Sequence, residues 1–557
     1  MPMHNPFRRK TTAAASSPSN PSPASSSSSS GLLPPPTTLD LLRYRSHHGV
    51  NLGSIFVLEK WLFPGMFEHV QGEGSSELDA VTAKKKKKKK KRRKGEEEGC
   101  VRAIGLPATR QRWESHWSNA LTNTELDDLI TSTKITTIRL PIGHFTLGPR
   151  FCADTPFAAV GDVYVNAWGE VLKLCARLWE RGVGVLLDLH ALPGNANGRD
   201  HGGTGDGEPG RFWGSKKYME LGVKCVEFMV QQVADGRVAG CVGVQIINEA
   251  PYAGWDQLKM GKWYDKVLEA VRKIDPEVPI YVSDGWDPKR AVQWSRERSR
   301  IDTRGNPLVV AMSKYYCFSE ADRAKSPEDL IQGLEKWDPV DEARAEGGDV
   351  GGKGAVDTIV TEWSCALDEA SWRQYQGQNR DEVHRRFGNA ECEAWRRATG
   401  GAFFWTAKSQ YDLGHWNFSP MGSGGLVTAP AHFDLDFSLA GSQCGKASAQ
   451  MGQKRDEALR SHSNYWDSTS PGTKFEHHRF GQGWDQAAAD VMAFFMARGA
   501  FARGKDKGHK TGGDTIGLLE LWILKRMRQA QQAGPYVWEW EHGFRQGRSA
   551  CEETLLQ

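Results

Sequence analysis

The chain has 557 residues, 39% of them hydrophobic and 25% charged, enough for one large core or for two to four smaller ones. Its formal net charge of +4 hides an asymmetry: residues 84–94 are all lysine or arginine, and without those eleven the remainder carries about −7. A mildly acidic body with one basic run excludes a broad nucleic-acid footprint, and no apolar run reaches the roughly 20 residues of a transmembrane helix.

Residues 1–38 form a Ser/Pro-rich stretch, with Ser25–Ser30 and Pro34–Pro36, that reads as a disordered tail. Arg8, Arg9 and Lys10 are followed by Ser, Pro and Ala rather than by an apolar segment, so no secretory signal is read. Residues 70–99 read as a second disordered segment around the lysine run. The expected location is the cytoplasm, with nuclear targeting by residues 84–94 or unconventional secretion as alternatives. The ten cysteines are scattered and lack any Cys-x-x-Cys pair, which fits buried free thiols.

Eight short apolar segments then recur: 49–56, 136–143, 183–190, 242–249, 279–284, 308–316, 357–363 and 401–408. Segments 166–181, 215–234 and 263–274 lie between them and repeat apolar residues at helical spacing. Near-continuous apolar strands alternating with helices predict a parallel sheet, and eight such units predict a closed (β/α)8 barrel over residues 39–410. A doubly wound nucleotide fold is the runner-up; no G-x-G-x-x-G follows the first strand and no phosphate loop occurs. Residues 411–557 read as an extension packed on the barrel or completing it, with helices at 484–498 and 515–532.

Two of the strand segments deliver a carboxylate near their carboxyl ends, Glu249 and Glu362. In a (β/α)8 barrel that end is the catalytic rim. Two carboxyls facing one pocket are the equipment for glycoside hydrolysis: one protonates the leaving oxygen and the other attacks the anomeric carbon. In this order Glu249 is the candidate acid/base and Glu362 the candidate nucleophile. Retention requires the carboxyls to lie roughly 5–5.5 Å apart. Arg139 can hold Glu362 ionised, Asn248 can bond the sugar or a neighbouring carboxylate, His190 can donate to a sugar hydroxyl, and Trp405 can floor the pocket. The loop 192–203 reads as a polar rim, with Asn195, Asn197 and Asp200 as sugar contacts. Its His201, with His190 and Asp200, lacks a compact metal-ligand spacing, and His477-His478 reads as an exposed loop pair, so no metal is expected. A serine-hydrolase elbow is absent.

These residues resemble glycoside hydrolase family 5, in particular its fungal exo-β-1,3-glucanases. The resemblance covers about residues 48–70 and 100–410. It rests on Gly49–Gly53 with Leu58–Trp61, His116-Trp117, Ile138–Gly143, Asp188–His190, Ile247–Glu249, Lys314–Tyr316, Thr361–Trp363 and Phe404–Lys408. It implies retaining hydrolysis without a cofactor, with Glu249 as acid/base, Glu362 as nucleophile and Arg139, His190 and Asn248 in support. It further implies that Tyr315 contacts the nucleophile, that Trp405 stacks on the sugar, and that the substrate is β-1,3-glucan attacked from its non-reducing end. Residues 463–468, 481–495 and 538–542 resemble an extension of fungal relatives. One position departs from the family: Ser313 stands where a histidine precedes the tyrosine, which predicts slowed turnover and a rate gain in Ser313→His. A β-glucosidase acting on steryl or lipid glucosides and a glycan-binding pseudoenzyme are the competing readings.

Overall fold

The strands close on themselves. In the computed structural model, β1 (His47–Asn51), β2 (Thr137–Gly143), β3 (Gly184–Ala191), β4 (Cys241–Gln245), β5 (Ile280–Ser283), β6 (Leu308–Lys314), β7 (Asp357–Trp363) and β8 (Gly401–Phe404) form a barrel in sequence order. β1 pairs in parallel with both β2 and β8, which completes the (β/α)8 barrel. The structure describes residues 31–70, 72–82, 105–205, 207, 210–339, 350–501 and 512–557; residues 33–557 form one compact unit. The tail to residue 30 and the lysine run lie outside the described residues.

Every residue of β2, β3 and β7 is buried, as a sheet covered on both faces requires. The covering helices bury one stripe each. In Ala167–Trp179 that stripe is Ala167, Val171, Leu174, Cys175 and Leu178, the spacing of one helical face.

Three expected boundaries move. The tail does not run to residue 38: the Leu33 amide donates to Gln486 Oε1 at 2.8 Å, Arg526 Nη1 donates to the Pro34 carbonyl at 3.0 Å, and Thr37 and Asp40 cap the helix Thr38–Tyr44. The segment 70–99 is not wholly unstructured, because Glu77–Val81 is helical. Glu77 is buried there and accepts from the Leu58 amide (2.8 Å), Trp113 Nε1 (2.7 Å) and the Tyr164 hydroxyl (2.5 Å). Finally, β1, β4 and β8 stop at Asn51, Gln245 and Phe404, and Leu52, Ile246 and Trp405 each donate one last backbone bond to the neighbouring strand before the chain turns away.

The carboxy-terminal residues cover the opposite end of the barrel. Strand residues Leu186, Tyr281, Val309, Ile359 and Phe403 share one buried cluster with Phe494, Ile516, Leu518, Trp522 and Trp540. Arg45, just ahead of β1, pairs with Asp514, and the Asp357 carboxylate that opens β7 accepts from the Leu521 amide at 3.0 Å. The helices Phe437–Thr469, His478–Phe501, Leu519–Gln529 and Val537–Leu556 thus close the floor and leave the carboxyl-terminal rim open. Among the described residues no helix is long and apolar enough to cross a membrane.

Candidate active site

Arg139, in the middle of β2, organises the rim. Its guanidinium is fully buried. A guanidinium has five N–H donors, and here it makes four hydrogen bonds and one further ion pair. Nε donates to Gln245 Oε1 (2.9 Å); Nη1 donates to Asn51 Oδ1 (2.8 Å) and Glu362 Oε1 (2.9 Å). Nη2 donates to Asn248 Oδ1 at 2.8 Å and forms an ion pair with Asp188 Oδ2 at 2.8 Å. Residues from β1, β3, β4, β7 and the turn after β4 are thereby held around one cation.

Glu362 lies on β7 and is 6% exposed. Arg139 occupies its Oε1, and the Tyr315 hydroxyl donates to its Oε2 at 3.1 Å. Glu249 lies four residues beyond the end of β4, at φ 40°, a left-handed conformation that non-glycine residues rarely adopt. Ser313, the register partner of Glu362 across β6 and β7, also faces the Glu249 carboxyl, where its hydroxyl acts to hold the pKa down. Burial pushes both glutamates above the usual carboxylate range, and Glu249 adds to the rise at Glu362. Which of the pair holds the charge is decided by the donors. Glu362 accepts from the Arg139 guanidinium, a permanent cation with no acceptor, and from the Tyr315 hydroxyl, so the charge settles there and the shared proton on Glu249.

A second chain of contacts reaches Glu249 from behind. Asp188 Oδ2 lies 2.7 Å from His190 Nδ1, and His190 Nε2 lies 3.1 Å from His201 Nδ1. His201 Nε2 faces Glu249 Oε2 at 3.6 Å. Burial depresses both imidazoles, His190 to about 3 and His201 to about 4, so both are neutral near pH 7. Their tautomers follow from the partners. His190 donates from Nδ1 to Asp188 and accepts at Nε2, where Asn248 Nδ2 also approaches at 3.4 Å. His201 then carries its hydrogen on Nδ1 and turns a bare Nε2 toward Glu249.

The pocket has a volume of about 730 Å³ and is lined by both glutamates, His190, His201, Tyr315 and Trp405. Trp405 stacks on His190 at 6.0 Å. Glu59 also faces the pocket and accepts from Trp61 Nε1 at 2.9 Å; burial raises its carboxyl to about 8. Trp416 sits at 5.5 Å from both Trp61 and Tyr315, and Tyr252, Trp286 and Phe318 form an exposed aromatic collar at the mouth.

All eight sequence-predicted residues therefore converge: Glu249, Glu362, Arg139, His190, Asn248, Tyr315, Trp405 and Ser313. His190 differs from expectation in its partner, since its Nε2 meets His201 and Asn248 rather than standing free for a sugar hydroxyl. Within the loop 192–203, Asn195 is fully buried and stitches the loop together, with Oδ1 accepting from the Asn197 and Gly198 amides and Nδ2 donating to the Thr204 carbonyl. Asp200 bonds Ser75, and Asn197 alone of the three expected sugar contacts lines the pocket. Glu59, His201 and Trp416 were missed as site residues. The Leu58–Trp61 motif signalled the first; nothing in residue spacing marked the other two, which approach through loop folding.

Residues 101–335 match the family model for cellulase (glycosyl hydrolase family 5), and residues 447–555 match that for the glucan 1,3-beta-glucosidase 3 C-terminal domain. The chain is 29% identical to glucan 1,3-beta-glucosidase 3 of Schizosaccharomyces pombe over 91% of its length and 95% of that protein's. It is 27% identical to an uncharacterized glycosyl hydrolase of Saccharomyces cerevisiae, over 91% of both chains. Among solved structures, rutinosidase from Aspergillus niger matches with a TM-score of 0.50 at 17% identity, covering 70% of this chain and 99% of that one, a likeness of fold.

Proposed function

We propose that this chain, a β-glycoside hydrolase with a barrel of the family 5 kind, releases glucose from the non-reducing end of β-1,3-glucan by double displacement. The observation that carries the mechanism is that Glu362, clamped by Arg139 and Tyr315, shares one pocket with Glu249. Glu362 attacks the anomeric carbon as Glu249 gives its proton to the departing glycosidic oxygen. A covalent glycosyl ester on Glu362 remains. Glu249, now a carboxylate, takes a proton from water, which attacks the same carbon and frees Glu362; two inversions give retention. Arg139 and Tyr315 hold Glu362 in line and take up its charge when the ester breaks.

The substrate reading draws on the fission-yeast relative, whose name is glucan 1,3-beta-glucosidase 3. A second reading is favoured by the exposed collar of Tyr252, Trp286 and Phe318: apolar rings at the mouth suit an apolar aglycone, as in a steryl or lipid glucoside. Hydrolysis of a β-1,3-glucan oligomer series and of a glucosyl lipid, with product size and anomer resolved, separates the two. Stepwise β-glucose from the oligomers, lost in Glu249→Gln and Glu362→Gln, supports the first. Turnover of the glucosyl lipid alone replaces it with the second. No turnover of either by folded protein refutes both.

A further inference from the structure

The floor helices carry a cluster that the barrel chemistry does not use. His462 lies late in the helix Phe437–Thr469, His477 immediately precedes the helix His478–Phe501, and Glu539 lies in the first turn of Val537–Leu556. Glu539 is fully buried and His462 is 5% exposed. Glu539 Oε2 lies 3.1 Å from His462 Nε2 and 2.7 Å from His477 Nδ1, and the three atoms fall within 4.8 Å of one another.

A buried carboxylate requires a compensating cation. The ion-pair partners of Glu539 among the described residues are these two imidazoles, with no lysine or arginine. His477 has a carboxylate oxygen at each ring nitrogen, Glu539 at Nδ1 and Asp467 Oδ1 at Nε2, the latter at 3.2 Å. A neutral imidazole has one N–H, so one of those nitrogens would turn a lone pair toward a carboxylate. Either a second proton or a metal ion must stand between them.

We infer that His462, His477 and Glu539 hold one divalent transition-metal ion, with zinc the best match to two imidazoles and a carboxylate. Several contacts are those of a built site. His477 Nε2–H donates to Asp467, the outer carboxylate that orients a metal-bound histidine. The Glu476 amide donates to Glu539 Oε1 at 2.8 Å, which leaves Oε2 as a single ligand atom. Phe480 stacks on His462 at 4.4 Å and Phe475 on His477 at 5.4 Å, fixing both rings. Tetrahedral zinc with bonds of about 2.0–2.2 Å separates its ligands by about 3.4 Å, so the three atoms need shifts of less than ~1 Å. The His477 side chain is 19% exposed, which gives the fourth position access to water. Such an ion would fasten the ends of three segments, and residues 463–468 and 538–542, singled out in the sequence, flank it.

The test uses the full chain, stripped with a chelating resin and titrated with zinc chloride, with metal content, calorimetry and melting temperature as readouts. The expected result is one zinc per chain and a melting temperature that rises on zinc addition. His477→Gln, at the partly exposed ligand, should abolish stoichiometric binding and the thermal shift. Asp467→Asn, which keeps all three ligands, should weaken affinity roughly ten- to a hundredfold. Cobalt substitution should give the visible absorption of a tetrahedral site. Absence of stoichiometric zinc in folded wild type, or equal zinc affinity in wild type and His477→Gln, overturns the inference and leaves a hydrogen-bonded clasp.

Discussion

Replacing His201 by alanine tests the proton assignment at Glu249. The bare Nε2 of His201 faces Glu249 Oε2 at 3.6 Å, a gap that a small carboxyl rotation closes when substrate enters. With Nδ1–H committed to His190 at 3.1 Å, that nitrogen can only accept, and it therefore favours the protonated, acid-competent form of Glu249. Ser313 and the charges of Arg139 and Arg199 oppose it, Asp188 and burial act with it, and all of these persist in the variant. Removing a neutral acceptor forfeits about 0.5–1.5 kcal/mol, or roughly 0.4–1.1 pH units at about 1.36 kcal/mol per unit. The neutral acid is destabilised, so its pKa falls and the alkaline limb of kcat/KM moves to lower pH by that amount. Imidazole protonation cannot mimic this, because burial pushes the His201 ring down to about 4, far below the alkaline limb. The assay is the pH profile on aryl β-glucosides of graded leaving-group acidity. The defect should grow as the leaving group becomes poorer and vanish when departure needs no proton. An alkaline limb that stays fixed or moves upward, or an equal loss across all leaving groups, refutes the tautomer chain.

Five further outcomes follow from the structure. Ser313→Ala removes a donor that favours charged Glu249, so its alkaline limb should move upward, by about one unit for a 1.5 kcal/mol bond; Ser313→His should bring no rate gain, since His201 already supplies an imidazole beside Glu249. Tyr315→Phe deletes the bond to Glu362 Oε2 and should lower kcat/KM about ten- to a hundredfold, and a loss below twofold in steady-state assays contradicts the clamp. Trp416→Ala should raise KM roughly two- to tenfold with kcat little changed, read from saturation curves on oligomers. Glu77→Ala strands three buried donors and should cost about 3 kcal/mol or more in denaturant unfolding, with the Leu58–Trp61 segment loosened.

The barrel was legible because its strands are covered on both faces. Full burial demands unbroken apolar runs, and those runs stand out from the helical spacing between them. The positions of Glu249 and Glu362 followed from the same rule, yet strand ends were read too long wherever apolar residues continue past the ladder. Val242–Glu249 looks like one strand, but pairing stops at Gln245 and the chain turns over so that Glu249 enters the pocket at positive φ. Periodicity records burial: Ile246 and Ile247 pack into the apolar core past the end of the strand, and Asn248 is buried by its bonds to Arg139 and His190.

The contributions that sequence spacing could not disclose are those made by irregular backbone. His201 reaches Glu249 because the Asn195 side chain bonds four backbone groups, the Arg199 and Thr204 carbonyls and the Asn197 and Gly198 amides, in a segment that has no period to read; the same fold of the loop brings His201 to the ring of His190. Likewise the helix Phe437–Thr469 buries few residues, Ala440, Ala447, Met451 and His462 among them, so its apolar stripe was too thin to register. Its single buried histidine is then hard to justify by packing alone. A helix that needs so little apolar contact along 33 residues needs another tie at its end, and the only polar group it buries there points at Glu539.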